Sequence, residues 1–446
     1  MSSTAPLTFV ATGDAIISRR LSVLQDLDFL QLKEMIANAD AAFSNLEVMT
    51  PRRPWIPASE FGGGYLAAEP FVLDELQAMG FNLFNVANNH ATDYTYKGLT
   101  DTIAELRARD MRFAGGGDTL GEARSPTYLD TARGRVALLG VASSFVIGGL
   151  AAASRSDAAG RPGVNPLRFE TEYLLPTNQM QQLQAIDNAL GSQAVTERKR
   201  AFGALNRERE GAYPFLGNHF REAEQAAIVT MPHQGDMEAI SKQIADARRQ
   251  ASLVVVSLHA HQGQNGDSNS DTAADFIETA ARRWIDAGAD VIVGHGPHML
   301  RGIEIYCGKP IFYSLGNFIF TFETVIKQPT EMYEQHDLGA DATPADVEDA
   351  WTHWPDGSPK GFHADEAFWQ TALPLCHFSE GRLERLELHP ISISLHVPRD
   401  ARGVPRLMSA DEGRKLLEHL QELSVPYGST IDIHESNGRT MGTLRL

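Results

Sequence analysis

Leu7-Thr-Phe-Val-Ala-Thr-Gly-Asp14 is a short apolar run that stops on a glycine and a carboxylate, and the same design recurs along the chain. Ala41-Ala-Phe-Ser-Asn-Leu-Glu47 is a second such run, and Phe81-Asn-Leu-Phe-Asn-Val-Ala87, which leads into Asn88-Asn89-His90, is a third. Ser252-Leu-Val-Val-Val-Ser-Leu258 meets His259-Ala-His261, and Asp290-Val-Ile-Val293 leads to His295-Gly-Pro-His298. Runs of this length and apolarity predict strands covered on both faces. Amphipathic segments lie between them. Leu99, Ile103 and Leu106 fall on one helical face, as do Phe276, Ala280 and Trp284. The alternation predicts an α/β fold with helices covering a mainly parallel sheet.

Working outward, residues 150–235 break the rhythm. They begin Gly/Ala/Ser-rich and continue into Gln- and Arg-rich sequence, which predicts a peripheral helical insertion. Ile303–Tyr306 and Pro310–Ser314 read as a hairpin. Residues 321–370 are irregular but rich in aromatic, acidic and histidine residues, too aromatic for a disordered linker. They predict a flap over the site. Residues 376–446 close the chain with antiparallel strands over 383–395 and a helix near 410–423. A single domain spanning 1–446 accommodates these parts.

The 39 basic and 57 acidic residues leave a formal charge of −18. That repels phosphate backbones and anionic lipid, so nucleic acid is not an expected partner. A small-molecule or peptide substrate, even an anionic one, remains compatible, because a bound divalent cation reverses the local sign. Cys307 and Cys376 form no CxxC pair and fit a reducing compartment. The N-terminus has no basic n-region or long apolar h-region, so neither signal peptide nor membrane anchor is expected, and the expected location is cytoplasmic. Nothing in the sequence fixes the oligomeric state.

The chemistry lies where the strands end. Asp14, Glu47, Asn88-Asn89-His90, His259/His261 and His295/His298 each follow an apolar run. In open α/β sheets, ligand sites gather outside the carboxyl ends of the strands. Carboxylate, amide and imidazole donors converging there suit one or two divalent cations such as Mn, Fe, Zn or Mg. Taken one at a time these residues have ordinary explanations: Asp14 as a helix cap, Asn88 and Asn89 as turn formers, a histidine as a hydrogen-bonded core residue. Their joint occurrence at successive strand ends favours a shared site. Asn88 is a further candidate for substrate binding. Arg19 and Arg20 could clamp an anionic group or simply be solvated; Trp351, Trp354, Phe362 and Trp369 are expected to pack the flap, with Trp354 as the candidate for substrate contact.

Ala11-Thr-Gly-Asp14, Ser44-Asn-Leu-Glu47 and Val86-Ala-Asn-Asn-His90 resemble the CapA family, named for poly-γ-glutamate capsule synthesis. Gly294-His-Gly-Pro-His-Met-Leu-Arg-Gly302 and Tyr313-Ser-Leu-Gly-Asn-Phe318 are similar to that family's closing block. The resemblance implies a calcineurin-like metallophosphoesterase fold, a β-sandwich flanked by helices. It implies Asp14, Glu47, Asn89, His259 and His298 as metal ligands, with His90 beside the metal as acid or electrostatic stabiliser. Two departures stand out. His259-Ala-His261-Gln-Gly263 replaces a His-Trp-Gly pattern, and a histidine stands at 295 where Gly296-Pro-His298 replaces His-Pro-His.

Three functions fit these residues. One is metal-dependent hydrolysis or transfer at a phosphoester, amide or γ-glutamyl-type bond. Another is metal-dependent peptide Cα epimerisation, with His261 and His295 as paired acid/base groups. The third is a non-catalytic accessory role in capsule synthesis. His295 is either a ligand or a proton-transfer group facing open space.

Overall fold

Two mixed sheets lie face to face, and both have parallel strands at their centres. In the first, strands Leu7–Ile16, Ala41–Leu46, Leu83–Asn85 and Arg112–Ala114 run parallel, and Gln370–Ser379 pairs antiparallel with the first of them. In the second, Gly134–Ala142, Leu253–His259, Val291–His295 and Lys309–Phe312 run parallel, with antiparallel strands at both edges. This computed structural model describes residues 6–203, 211–436 and 438–446.

Side-chain alternation decides what meets between the sheets. Leu7, Phe9, Ala41, Phe43 and Leu83 of the first sheet pack on Val136, Leu138, Leu253, Val255, Val291 and Val293 of the second. The intervening Val10, Ala42 and Phe84 face helices Leu27–Ala37 and Phe71–Ala78. Val254, Val256 and Ile292 likewise face helices Gln234–Arg248 and Asp275–Asp286, where Phe276, Ala280 and Trp284 are fully buried. The molecule is therefore helix, sheet, sheet, helix: the calcineurin-like sandwich. One expectation needs correction. The chain does not fold as a single mainly parallel sheet, because apolar residues at both parities give each sheet two covered faces.

The same alternation continues to the strand ends. Ser257 and His259 share parity with Leu253 and Val255, and His295 shares it with Val291 and Val293, so these side chains point between the sheets. Asn45 follows Phe43, and Asn85 follows Leu83. Strand one would present Gly13 at this level, but a bulge inserts one residue. Ala11 pairs with Phe43 and Asp14 pairs with Asn45, so Asp14 takes the inward place. Close approach there requires glycine: a Cβ on Gly13 would lie 1.8 Å from the Gly316 carbonyl oxygen.

The stretch expected to be a helical insertion carries two helices, Thr177–Leu190 and Ser192–Ala201, but also a four-stranded sheet that includes Phe169–Leu175 and Ala227–Pro232. Phe169-Glu-Thr-Glu-Tyr173 alternates with period two, which the surrounding polarity obscures. The predicted hairpin forms as Ile303–Tyr306 with Lys309–Phe312, and the C-terminal helix spans Ala410–Ser424. Among the described residues no helix is long and apolar enough to cross a membrane.

Gly13→Ala is expected to lower the unfolding free energy by about 1–3 kcal/mol, since the added carbon meets backbone and not a flexible side chain. Urea denaturation of the metal-free protein measures it.

Candidate metal centre

Asp14 is fully buried where the sheets meet. Its Oδ1 accepts from Asn45 Nδ2 at 2.8 Å, and its Oδ2 accepts from the Gly296 backbone N–H at 3.0 Å. Across the sandwich His295 Nδ1 stands 3.2 Å from Asp14 Oδ1, and His259 Nδ1 lies 3.0 Å from His295 Nδ1. The Ser257 hydroxyl, 2.7 Å from His295 Nε2, fixes that ring from behind. Asp14, His259 and His295 thus form one compact donor group.

Glu47, His261 and His298 form a second. The His259 ring stands between the two groups, with Nε2 2.8 Å from Asn89 Oδ1, 3.1 Å from His261 Nε2 and 3.6 Å from Glu47 Oε1. Amide oxygens orient the outer histidines: Asn269 Oδ1 lies 2.7 Å from His261 Nδ1, and Asn317 Oδ1 lies 2.8 Å from His298 Nδ1. His298 holds a left-handed backbone (φ 62°), costly for a ring-bearing residue and sustained by the Asn317 contacts.

Burial, opposed by the hydrogen bond to His295 and by the neighbouring histidines, leaves the Asp14 carboxyl well below the usual carboxylate range. Burial, together with the charges of Asp14 and Asp93, drives Glu47 far up. Burial lowers His259 and His298, and it lowers His261 to about 3, helped there by His298. These imidazoles are neutral at pH 7, the form that binds metals. Both oxygens of the fully buried Glu47 accept no hydrogen bond. A buried carboxylate without a partner is costly, and a cation supplies what it lacks. The residues fit divalent metal.

A cavity of about 750 Å³ opens above this centre. Asn89, His90, His261 and His298 reach it, whereas Asp14, Glu47, His259 and His295 lie beneath. His90 Nδ1 is held 2.7 Å from Asp93 Oδ2, while its Nε2 lies 3.9 Å from Glu47 Oε1. Residues 8–322 match the family described as bacterial capsule synthesis protein PGA_cap. The chain belongs to this family. It is 33% identical over 440 residues to proteins y4sH and y4uA of Sinorhizobium fredii, covering 97% of this chain and 92% of each of those. It is 24% identical to the capsule biosynthesis protein CapA of Bacillus anthracis, over 70% of this chain and 60% of that one.

Of the residues singled out in this PGA_cap sequence, Asp14, Glu47, Asn89, His90, His259, His261, His295 and His298 come together around one centre. Four others do not line the cavity. Asn88 is buried and donates to the Leu46 carbonyl. Arg19 donates to the Arg402 carbonyl, and Arg20 pairs with Glu75 while lying over Phe71. Trp354 is 56% exposed beneath the Lys360 ammonium, away from the cavity. His295 also differs from one expectation, since it has no open space before it. Among residues 321–370, the stretch expected to be a flap, Phe322, Trp351 and Phe362 line the cavity. Sequence reading missed Asn45, Asn317, Asn269 and Asp93. Asn45 was detectable, because it has the parity of Phe43 and interrupts an otherwise apolar face.

Glu47→Gln is expected to leave the metal-free protein at least as stable while lowering metal affinity by at least about 10-fold. Elemental analysis and thermal unfolding read the two effects. For His261 the unfolded chain binds its proton near the ordinary 6.5 and the folded chain only near 3. Stability is therefore lost as pH falls through that window. In metal-free His261→Gln the pH slope of unfolding free energy should be shallower by up to about 1.4 kcal/mol per pH unit.

Proposed function

We propose that this chain is a metal-dependent hydrolase or transferase acting on phosphoester, amide or γ-glutamyl-type bonds. The observation that carries the reading is the pairing of two buried donor groups with a cavity whose floor presents His90. Bound divalent cations would supply Lewis acidity and an activated water at neutral pH. Asp14, His259 and His295 would hold one, and Glu47, His261, His298 and Asn89 the other. So many imidazoles favour Zn, Mn or Fe over Mg, which prefers oxygen.

The chain's own residues supply the rest. Asp93 fixes the His90 ring by its Nδ1, which leaves Nε2 free to hold a proton near Glu47 and pass it to a departing oxygen or nitrogen. Asp93 also accepts from the Gly62 and Leu66 backbone N–H groups, so the loop beside the cavity and the His90 ring share one anchor. Phe322, Trp351 and Phe362 keep water from one side.

The names of the Bacillus relatives support a role in capsule synthesis, and two Mycobacterium tuberculosis relatives are named as probable polyglutamine synthesis accessory proteins. A purely structural accessory role gives Glu47 no reason to be buried without a partner. Epimerisation by His261 and His295 as a pair gains no support, because only His261 reaches the cavity.

Removing metal with a chelator should abolish turnover of aryl phosphoester, ester or amide substrates, and resupplying Zn, Mn or Fe should restore it. His90→Ala should cost about 10²–10⁴-fold in turnover while retaining metal. Full activity in the metal-free protein, or in His90→Ala, would refute the assignment.

A further inference from the structure

The walls of the cavity say more about its occupant than the floor does. Among the described residues seven Phe and Trp rings line it, from four separate parts of the chain: Phe61, then Phe145 and Phe169, then Phe320 and Phe322, then Trp351 and Phe362. Among the described lining residues Arg168 is the one Lys or Arg, and no Asp or Glu is present. The Arg168 guanidinium is already engaged, with Nε and Nη2 at 2.8 and 2.9 Å from the two oxygens of the buried Asp236.

The aromatic wall reaches the candidate metal centre itself. The Phe362 ring centre is 5.0 Å from that of His298, and the Phe320 ring stacks on His298 from 5.7 Å. Trp351 lies so close against Gly64 that a Cβ there would sit 2.4 Å from the indole. The glycine loop thus makes room for the indole to form part of the wall.

From this lining we infer that the site takes a substrate with an aromatic or bulky apolar body attached to the reacting ester or amide, and not a γ-linked polyglutamate chain. The inference rests on the proposed reading of the cavity as the substrate site above the metal centre. A polyglutamate would bring one carboxylate per residue, and beyond the metal centre and the hydroxyl and amide groups of Ser143, Ser144, Gln262, Ser268 and Asn269 its charges would meet aromatic rings, which is costly. The chain's formal charge of −18 adds long-range repulsion against a long polyanion, whose many charges a local metal centre offsets only in part. An apolar body instead exchanges water for ring faces, which edge-to-face and offset contacts reward. One anionic group could still be accepted at the open edge of Arg168, whose side chain is 51% exposed.

Calorimetric titration of the metal-loaded protein separates these occupants without requiring turnover. The probes are N-acetyl-Phe-Phe-amide and a γ-linked diglutamate. The aromatic probe should bind at least about 10-fold more tightly. Trp351→Ala and Phe362→Ala should each weaken it by about 2- to 10-fold, with Trp351→Phe restoring most of the loss. Metal content, unchanged in every variant, verifies the fold. Equal or tighter binding of the diglutamate, binding of neither probe, or unaltered affinity in Trp351→Ala would overturn the inference. If the aromatic probe binds as expected but the metal-loaded protein turns over no aryl phosphoester, ester or amide, the hydrolase reading fails and this one stands.

Discussion

Everything at this site depends on one buried carboxylate held between two sheets. Asp14 takes a hydrogen bond from Asn45 in its own sheet and another from the Gly296 backbone at the end of the facing one. It faces His295 and His259 across the sandwich. An ionised group so deep is tolerable only because each oxygen has a donor and the opposing rings supply polarity. The bulge after Ala11 and the bare Cα of Gly13 exist at the level where that placement is required. Without the extra residue, Asp14 would point toward the helix layer and the two sheets would share no polar end.

Around that carboxylate the protein relies on amides rather than further charges. Asn45, Asn85, Asn269 and Asn317 each orient a neighbour. Asn85 donates to Asn45, Asn45 to Asp14, and the other two meet His261 and His298. Neutral amides can fix tautomer and ring angle without adding negative charge to a centre that already contains Asp14 and Glu47. Glu47 is the exception that points to metal, since its oxygens are buried and no donor reaches them.

The donors at the floor and most of the rings at the walls come from different elements of the chain. Asp14, His259 and His295 stand on strands of the sandwich, and Glu47, Asn89, His261 and His298 follow strand ends by a few residues, so backbone hydrogen bonds in or beside the sheets hold the donors. Most of the aromatic wall comes from outside the sandwich strands, including Phe169 from the small added sheet and Trp351 from the helix Pro344–Thr352, while Phe320 ends a strand of the first sheet. Such a division lets the walls change without disturbing the centre.

Much of this was legible in the residues. Apolar runs ending at Asp14, Glu47, His90, His259 and His298 declared both the α/β class and the donors, because strand ends and polar side chains are local features. The role of His295 was left between ligand and acid/base group. Only the parity it shares with Val291 and Val293, and the closure of one sheet over the other, placed it beneath the cavity. Asn317 lies in the Ser-Leu-Gly-Asn-Phe block without announcing that it would fix His298, nineteen residues away by chain and in contact by fold. Arg19, Arg20 and Trp354 had suitable chemistry and found other partners, since a long side chain's direction is set by its neighbours in space. The sequence by itself determined which residues could bind metal; which of them share a centre, and which rings surround it, only the packing of two sheets and their loops decided, because those contacts join segments hundreds of residues apart.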